Sequence, residues 1–176
     1  MTEIRSLRDD DAEALLAFFR RVPEGDLTFY KQDVLDPRLI GAWMTNASSR
    51  RLVALDGDTV CGCIEVASGT AWSSHVGELR LVVDPAHRGR GVGVALARAG
   101  MVQALELGLR KLVVEAIADQ EATIGLFNAI GFQGEALLRD HVRTHEGEYR
   151  DLIVLAHFVD DVWSEMQAVG LADELG

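Results

Sequence analysis

The sequence predicts an α/β (α+β) fold in which helices pack against one mixed β-sheet. Strand-like and helix-like periodicities alternate through the middle of the chain, which places helices between neighbouring strands. Hairpin signals occur near both ends, so part of the sheet is expected to be antiparallel. The length of 176 residues, 48% of them hydrophobic, predicts a single domain over residues 1–176.

The N-terminal half is predicted to contain three strands and two helices. Apolar residues three and four positions apart predict the helices, and compact apolar runs predict the strands. In chain order these elements are a strand at Ile4–Leu7, a helix that follows the capping oxygens of Asp9–Asp11, a helix at Leu35–Asn46, and strands at Arg51–Leu55 and Thr59–Ala67. Asp56-Gly57-Asp58 joins the last two strands as a hairpin turn.

The C-terminal half continues the alternation and ends with a hairpin and a helix. Its predicted elements are a strand at His75–Val83, a helix at Gly91–Leu107, a strand at Lys111–Ile117, a helix at Glu121–Ile130, strands at Phe132–Val142 and Tyr149–Phe158, and a helix at Asp160–Leu171. Gly108 and Gly131 follow two of the helices, at the position where glycine commonly ends a helix.

The charge balance limits the partners of the chain. It has 17 basic and 28 acidic residues and a net charge of −11. Nucleic-acid binding depends on Lys and Arg, so we expect no nucleic-acid partner, and an acidic surface favours cations such as amines. No apolar run is long enough to span a membrane, and Met1–Arg8 lacks the apolar core of a signal peptide. We therefore expect a cytoplasmic protein without a membrane partner.

The two cysteines, Cys61 and Cys63, fall in one predicted strand. At positions i and i+2 their side chains are expected on the same face, in a geometry that does not suit a disulfide. No further Cys or His lies nearby at the spacing of a metal site. We interpret both cysteines as small buried residues and expect no metal.

The sequence Arg88-Gly89-Arg90-Gly91-Val92-Gly93 carries the strongest chemical signal. It follows a predicted strand and opens a predicted helix, whose free N–H groups and positive dipole end favour an anion. Glycines let a phosphate approach the backbone closely. The turn therefore predicts a pyrophosphate site, although a turn needed only for tight strand–helix packing has the same composition.

Three phosphate-binding motifs compete for this turn. A P-loop needs Lys followed by Ser or Thr, and the turn has neither. A dinucleotide fingerprint needs Gly or Ala at its sixth position, which Val94 or Leu96 occupies in the two possible registers. The acyl-coenzyme A signature, [RQ]-x-x-G-x-[GA], is matched by Arg88, Gly91 and Gly93.

The flanks of the turn extend this last match. ELRLVVDP at Glu78–Pro85 precedes the turn, GLRKLVVE at Gly108–Glu115 follows the helix, and ATIGLFNAIGF at Ala122–Phe132 comes next. In order and spacing these blocks resemble the GNAT superfamily of acetyl-CoA-dependent N-acetyltransferases. The resemblance implies a GNAT-like mixed, mostly antiparallel central sheet flanked by helices and splayed between strands four and five, with acetyl-CoA in the opening.

The resemblance also implies which residues bind acetyl-CoA. The pyrophosphate would rest on the turn formed by Arg88, Gly89, Arg90, Gly91, Val92 and Gly93, and the pantetheine arm would pair with the strand at Leu81 to Val83. Gln120 stands where the family has an Asn that contacts the cofactor, and it keeps the ability to form a hydrogen bond.

The resemblance further implies the catalytic groups. Glu78 would be the general base, directly or through a water, and the backbone N–H near Val82 would polarise the thioester carbonyl. Glu78 could instead simply pair with Arg80 on the same strand face. Phe127, which the resemblance also places at the cofactor site, replaces the family Tyr that protonates the leaving thiolate, and its place on the apolar stripe Ile124–Ile130 indicates a core residue. The acid is left open between water, another residue such as His141 or Tyr149, and none.

The acceptor implied by the family is a primary amine, on a small molecule or on a protein lysine or N-terminus. The segment Asp26–Tyr30, with Glu24 and Asp33 nearby, could form the acceptor pocket or could staple a loop to the core. The alternatives to the enzyme are an acyl-CoA-binding sensor or scaffold that lacks turnover, and a dinucleotide-binding domain. A homodimer through the apolar run Leu152–Leu155 is possible, and a strand buried within one subunit explains that run equally well.

Overall fold

The structure, a computed structural model, describes residues 2–27, 30–46, 49–144 and 146–159. The helix predicted at Asp160–Leu171 lies outside these residues, and so do Thr28 and Phe29 of the predicted acceptor segment. The strands are β1 (Glu3–Ser6), β2 (Ser49–Asp56), β3 (Thr59–Ser68), β4 (Val76–Val83), β5 (Lys111–Ile117), β6 (Gln133–Arg143) and β7 (Tyr149–Phe158). The helices are α1 (Ala12–Arg21), α2 (Glu24–Leu27), α3 (Pro37–Thr45), α4 (Val92–Glu106) and α5 (Glu121–Ala129).

Helix α3 begins two residues later than the sequence predicts, because of its capping residues. The Asp36 carboxylate accepts a hydrogen bond from the backbone N–H of Arg38 at 2.9 Å, and Pro37 follows as the first helical residue. Asp at the N-cap and Pro at the next position are a favoured start for a helix. Helix α2 was not predicted, since a single turn is too short to show a helical period.

The seven strands form one sheet in the order β1-β2-β3-β4-β5-β7-β6. Neighbouring strands are antiparallel except β4 and β5, which are parallel. The recorded pairs between β4 and β5 run from Val76–Lys111 to Glu78–Val113, and beyond Glu78 the two described strands separate. The predicted mixed, mostly antiparallel sheet and its splay between strands four and five are confirmed.

Each face of the sheet carries its own apolar cluster. Helices α4 and α5 cover one face, where Leu96, Met101 and Phe127 pack on residues of β3, β4 and β5. Helices α1 and α3 cover the other face with an aromatic cluster that includes Phe19 and Trp43. Because alternate residues of a strand belong to different clusters, the sheet separates an α4–α5 side from an α1–α3 side.

A β-bulge in strand β3 separates the two cysteines. Ala54 pairs with Gly62 and Leu55 pairs with Val60, so Cys61 is an extra residue in the ladder. Cys61 belongs to the α4–α5 cluster and Cys63 to the α1–α3 cluster. The prediction that both side chains share one face is therefore wrong. Both thiols are free and buried, and burial raises the pKa of Cys63 to about 12.

Strand β7, which contains Leu152–Leu155, hydrogen-bonds to β5 on one side and to β6 on the other. Leu152 and Leu155 are buried. Burial within one chain thus accounts for this apolar run. In the part of the chain that the structure describes, no helix is long and apolar enough to cross a membrane.

Candidate active site

A cleft with a volume of about 630 Å³ opens where β4 and β5 separate. That volume is typical of a site for a small molecule. The predicted site residues that line it are Glu78, Leu81, Val82, Val83, Arg88, Gly89, Gly93, Gln120 and Phe127. The other three, Arg90, Gly91 and Val92, belong to the glycine turn and the start of α4 but do not line the cleft. The structure thus brings the strand, the turn and α5 to one cavity.

The peptide groups of β4 point alternately toward strand β3 on one side and toward strand β5 on the other. The N–H of Asp84 donates to Cys61 O of β3 at 2.9 Å, whereas His75 O accepts from the backbone N–H of Lys111 of β5 at 3.2 Å. Peptide groups point to opposite sides at successive strand positions, and the register from Gly77 to Val83 has no shift. The backbone N–H and C=O groups of even-numbered residues of β4 therefore point toward β3, and those of odd-numbered residues point toward β5 or, beyond the last β4–β5 pair, into the cleft.

This alternation corrects the donor that the sequence predicts. The N–H of Val82 points to β3, where Val82 pairs with Cys63, and not into the cleft. The peptide groups of Leu81 and Val83 point into the cleft instead, whereas the Leu79 N–H belongs to the last β4–β5 pair, Glu78 with Val113. Among the described residues Leu81 and Val83 have no strand partner on that side.

Gly91 holds the turn before α4 in a conformation that side chains rarely adopt. Its φ is 81°, and a Cβ would meet open space, so the backbone conformation and not crowding favours glycine. The carbonyl of Gly91 accepts the first helical hydrogen bond, from Ala95 N at 3.0 Å. The N–H groups of Val92, Gly93 and Val94 precede that bond and are the free donors of the first turn.

Arg88 connects the turn with helix α2. Its guanidinium donates to Val83 O at 3.1 Å and to the Asp26 carboxylate at 2.6 Å. Asp26 also lines the cleft, so one acid of the predicted acceptor segment touches the predicted phosphate arginine. Tyr30, at the other end of that segment, is buried edge-on against Phe19 with ring centroids 5.3 Å apart. At Tyr30, the interpretation as a staple to the core is confirmed.

Helix α5 supplies the wall opposite β4. Gln120 lies at its N-terminus, and within the described ranges the buried Oε1 of Gln120 has no hydrogen-bond partner. An unpaired buried amide oxygen is costly, so a ligand N–H in the cleft would satisfy it. Phe127 is 1% exposed and packs edge-on against Phe132. The interpretation of Phe127 as a core residue is confirmed, and its ring has no proton to donate.

The α1–α3 side of the cleft is charged. Acidic and basic side chains alternate in one chain of ion pairs that runs from the core to the cleft, in the order Arg51, Glu65, Arg80, Glu78, Lys31 and Glu115. The inner end is buried, with the Glu65 side chain 3% exposed, and Lys31, the last cation toward the outer end, is 53% exposed. Because a buried charge requires partners, this network allows charged groups to remain at the cleft wall.

Glu78 remains ionised within this network. Burial by itself would raise the pKa of Glu78, because it disfavours the charged form. The guanidinium of Arg80, at 2.8 Å, and the ammonium of Lys31, at 3.3 Å, outweigh burial, so the pKa of Glu78 is lowered. The alternative of a pair with Arg80 is thus observed, and that pair keeps Glu78 in the form that can accept a proton.

Sequence reasoning missed Lys31 and Glu115, which both line the cleft. Lys31 follows Tyr30 in a loop without periodicity, and Glu115 reads as an ordinary polar residue of β5. The contact between Lys31 and Glu115 joins positions 84 residues apart, so no local pattern signals it.

His141 of β6 lines the cleft, whereas Tyr149 is exposed outside it. Among the described residues, no three His, Cys, Asp or Glu side chains are grouped as a metal would require.

The model of the acetyltransferase (GNAT) family matches residues 9–132 of this chain. This span contains β4, the glycine turn, α4, β5 and α5, which together form most of the cleft. A comparison with curated proteins gives no match.

Solved structures share the fold. The ribosomal-protein-alanine N-acetyltransferase from Brucella melitensis superposes with a TM-score of 0.80 at 24% identity, over 89% of this chain and 99% of its own. A GCN5-related N-acetyltransferase from Kribbella flavida gives 0.75 at 26% identity, over 89% and 97%. The yncA protein of Salmonella typhimurium, solved with its cofactor acetyl-CoA, gives 0.77 at 19% identity, over 90% and 94%.

Proposed function

Since the chain belongs to the acetyltransferase (GNAT) family, we propose that it is an N-acetyltransferase that moves the acetyl group of acetyl-CoA to a primary amine by direct attack in a ternary complex. The observation that carries this proposal is the open edge of β4. Its cleft-facing peptide groups lead from the glycine turn to the Glu78 carboxylate, so one continuous surface offers sites for phosphate, amide and amine groups.

The residues present fit acetyl-CoA, which supplies an activated acetyl group as a thioester. The free N–H groups of the turn, with Arg88, suit its pyrophosphate. The open N–H and C=O of Leu81 and the open N–H of Val83 suit an amide-bearing arm, as does the unpaired Oε1 of Gln120.

The chemistry assigned to the chain has two parts. Glu78 accepts a proton from the acceptor amine, directly or through a water, because its lowered pKa keeps it ionised at neutral pH. The N–H of Leu81, in place of that of Val82, donates to the thioester carbonyl, because Leu81 faces the cleft. Phe127 has no proton to donate, so the thiolate takes its proton from water or from another residue, or leaves without one.

The acceptor class proposed is a primary amine, on a small molecule or on a protein. The cleft wall with Glu78 and Glu115 and the net charge of −11 support a cationic acceptor. The Brucella melitensis neighbour is named for an alanine of a ribosomal protein, which supports a protein N-terminus as one candidate.

We further propose a single domain, since one sheet includes residues 3 to 158, and a cytoplasmic location, since both cysteines are free.

A second candidate function is an acyl-CoA-binding sensor or scaffold without turnover. Phe127 favours it, because the residue in this position has no hydroxyl. Turnover distinguishes the two, since the enzyme alone releases CoA thiol when an amine is supplied.

The first experiment is the thermal stability of the protein with acetyl-CoA, CoA and NAD in parallel. A ligand at 100 times its Kd adds about 2.7 kcal/mol to the free energy of unfolding. We expect both CoA ligands to raise the melting temperature and NAD to leave it unchanged. No shift with either CoA ligand at millimolar concentration would contradict the proposal, and a shift with NAD alone would favour a dinucleotide site.

A further inference from the structure

Lys31 is one of two lysines in the chain, the other being Lys111, whereas 15 of the 17 basic residues are arginine. Arginine cannot act as an amine nucleophile under ordinary conditions, because its guanidinium stays protonated. Lys31 is therefore the single primary amine side chain in the cleft, and Lys111 lies outside the cleft.

The structure holds the Lys31 amine where β4 and β5 separate. Its Nζ lies 3.0 Å from Glu115 Oε2 and 3.3 Å from Glu78 Oε1. Tyr30, the preceding residue, is buried in the aromatic cluster of the α1–α3 side, which anchors the backbone beside Lys31. The Lys31 ammonium thus forms an ion pair with the carboxylate of Glu78, which the proposed function assigns as the base.

The cleft has a direction. The end proposed to bind phosphate is the turn at Arg88 and Gly89. Strand β4 runs from Glu78, where β4 and β5 separate, to Val83 beside the turn. A ligand whose phosphate binds at the turn and whose chain pairs along β4 is directed toward the point where β4 and β5 separate. From Val83 to Leu79 it would cover roughly 13 Å of strand, and it would end beside Glu78 and Lys31.

We propose that Lys31 is an intramolecular acceptor and that the protein acetylates this lysine from acetyl-CoA bound in its own cleft. The inference rests on the proposed function. The Lys31 ammonium gives one proton to Glu78, and its neutral nitrogen attacks the thioester carbonyl carbon. A C–N bond forms, the C–S bond breaks, and the nitrogen's second proton ends on the CoA thiol. The products are N-acetyl-Lys31, CoA and one proton released from Glu78 to solvent.

Acetylation removes a cation from the ion-pair network. Glu78 and Glu115 then lose their shared partner, although Glu78 keeps its pair with Arg80, and the place of the Lys31 ammonium becomes open to an external ammonium. The modification would therefore change the cleft from one occupied by its own lysine to one open to another amine.

Lys111 is a built-in control for chemical acetylation. It pairs with Glu135, its side chain is 20% exposed, and it lies at the start of β5. N-acetylimidazole, which needs no binding site, gives the chemical ratio of modification at the two lysines. The Lys111→Arg variant should keep the Lys31 product, and Lys31→Arg should abolish it.

The experiment incubates the full-length protein with acetyl-CoA and measures a 42 Da increase on the peptides that contain Lys31 and Lys111. We expect the Lys31:Lys111 ratio to exceed the N-acetylimidazole ratio at least tenfold and to fall to that ratio in Glu78→Gln. The fractional rate should not change when the protein is diluted tenfold. In a separate footprint, CoA should slow labelling of Lys31 by an amine-reactive ester and leave Lys111 unchanged.

The outcomes separate this inference from the proposed function. If acetyl-CoA binds and an added amine is acetylated while Lys31 stays unmodified, the inference alone is overturned. A fractional rate that falls with dilution also overturns it, because the reaction is then between molecules. If acetyl-CoA does not bind, the proposed function fails and the inference fails with it.

Discussion

Glu78 keeps its charge at the wall of the cleft because two cations reach it from different elements. Arg80 lies on its own strand, and Lys31 comes from the loop between α2 and α3. Arg80 is itself held by Glu65, whose other partner is the buried guanidinium of Arg51. A change at the buried end of this network, at Arg51 or Glu65, therefore acts on the cleft through the position and charge of Glu78.

Glu78→Gln should lower turnover about 10²-fold with little change in acetyl-CoA affinity, because the amide cannot take a proton from the amine. Steady-state kinetics and thermal shift measure the two quantities. Glu106→Gln is the matched control, since Glu106 bonds to Gln103 on α4 away from the cleft. Unchanged turnover in Glu78→Gln would remove Glu78 from the role of base.

The pH dependence follows from the same pair. Since the pKa of Glu78 is lowered, protonation of Glu78 should reduce turnover only below about pH 4.3, the usual value for Glu. Arg80→Gln removes the larger source of stabilising charge, so this acid limb should move to higher pH. A limb that stays in place would mean that another group controls it.

The glycine turn between β4 and α4 shows what sequence reasoning can reach. A strand, a glycine pattern and a helix follow one another within the 31 residues from Val76 to Glu106, so their chemistry is visible locally. The Cys61 bulge and the orientation of the Val82 peptide depend on how β3 and β4 pair with their neighbours. The contact of Lys31 with Glu115 depends on the loop folding over the sheet, which no local pattern encodes.

Helix α4 offers a matched pair of glycines for a test of the turn. Gly91 and Gly108 flank its two ends with φ of 81° and 70°, and a Cβ would meet open space at either position. Replacement by Leu should cost each variant about 1–2 kcal/mol of stability through backbone strain. Gly91→Leu should also lose acetyl-CoA binding, whereas Gly108→Leu should keep it. Equal affinities, measured by titration calorimetry, would contradict the phosphate assignment.

At the scale of the whole molecule, several acidic groups make stability depend on pH. Asp11 is held by two hydrogen bonds from Arg5, and Asp84 by the Ala86 N–H and Arg21, so the pKa of each is lowered. For Asp84 these contacts outweigh burial, which acts to raise the pKa. Such a group stabilises the fold above its unfolded pKa, and this contribution is lost as pH falls through the lower folded value.

The free energy of unfolding should therefore vary little with these groups between pH 8 and about pH 5 and should fall below about pH 4. Urea unfolding at a series of pH values measures it. Asp11→Asn should reduce the difference between pH 7 and pH 3, because the amide does not titrate. A stability that rises on acidification would contradict the assignment of these ion pairs.

The open edge of β4 has a further consequence for the exchange of backbone amide protons with solvent. Even-numbered amides from Glu78 to Val82 already donate to β3, whereas the amides of Leu81 and Val83 face the cleft. A ligand that pairs along this edge should slow deuterium uptake at the odd-numbered positions and leave the even-numbered ones nearly unchanged. Hydrogen exchange followed by NMR would then show binding as a protection pattern with a period of two residues.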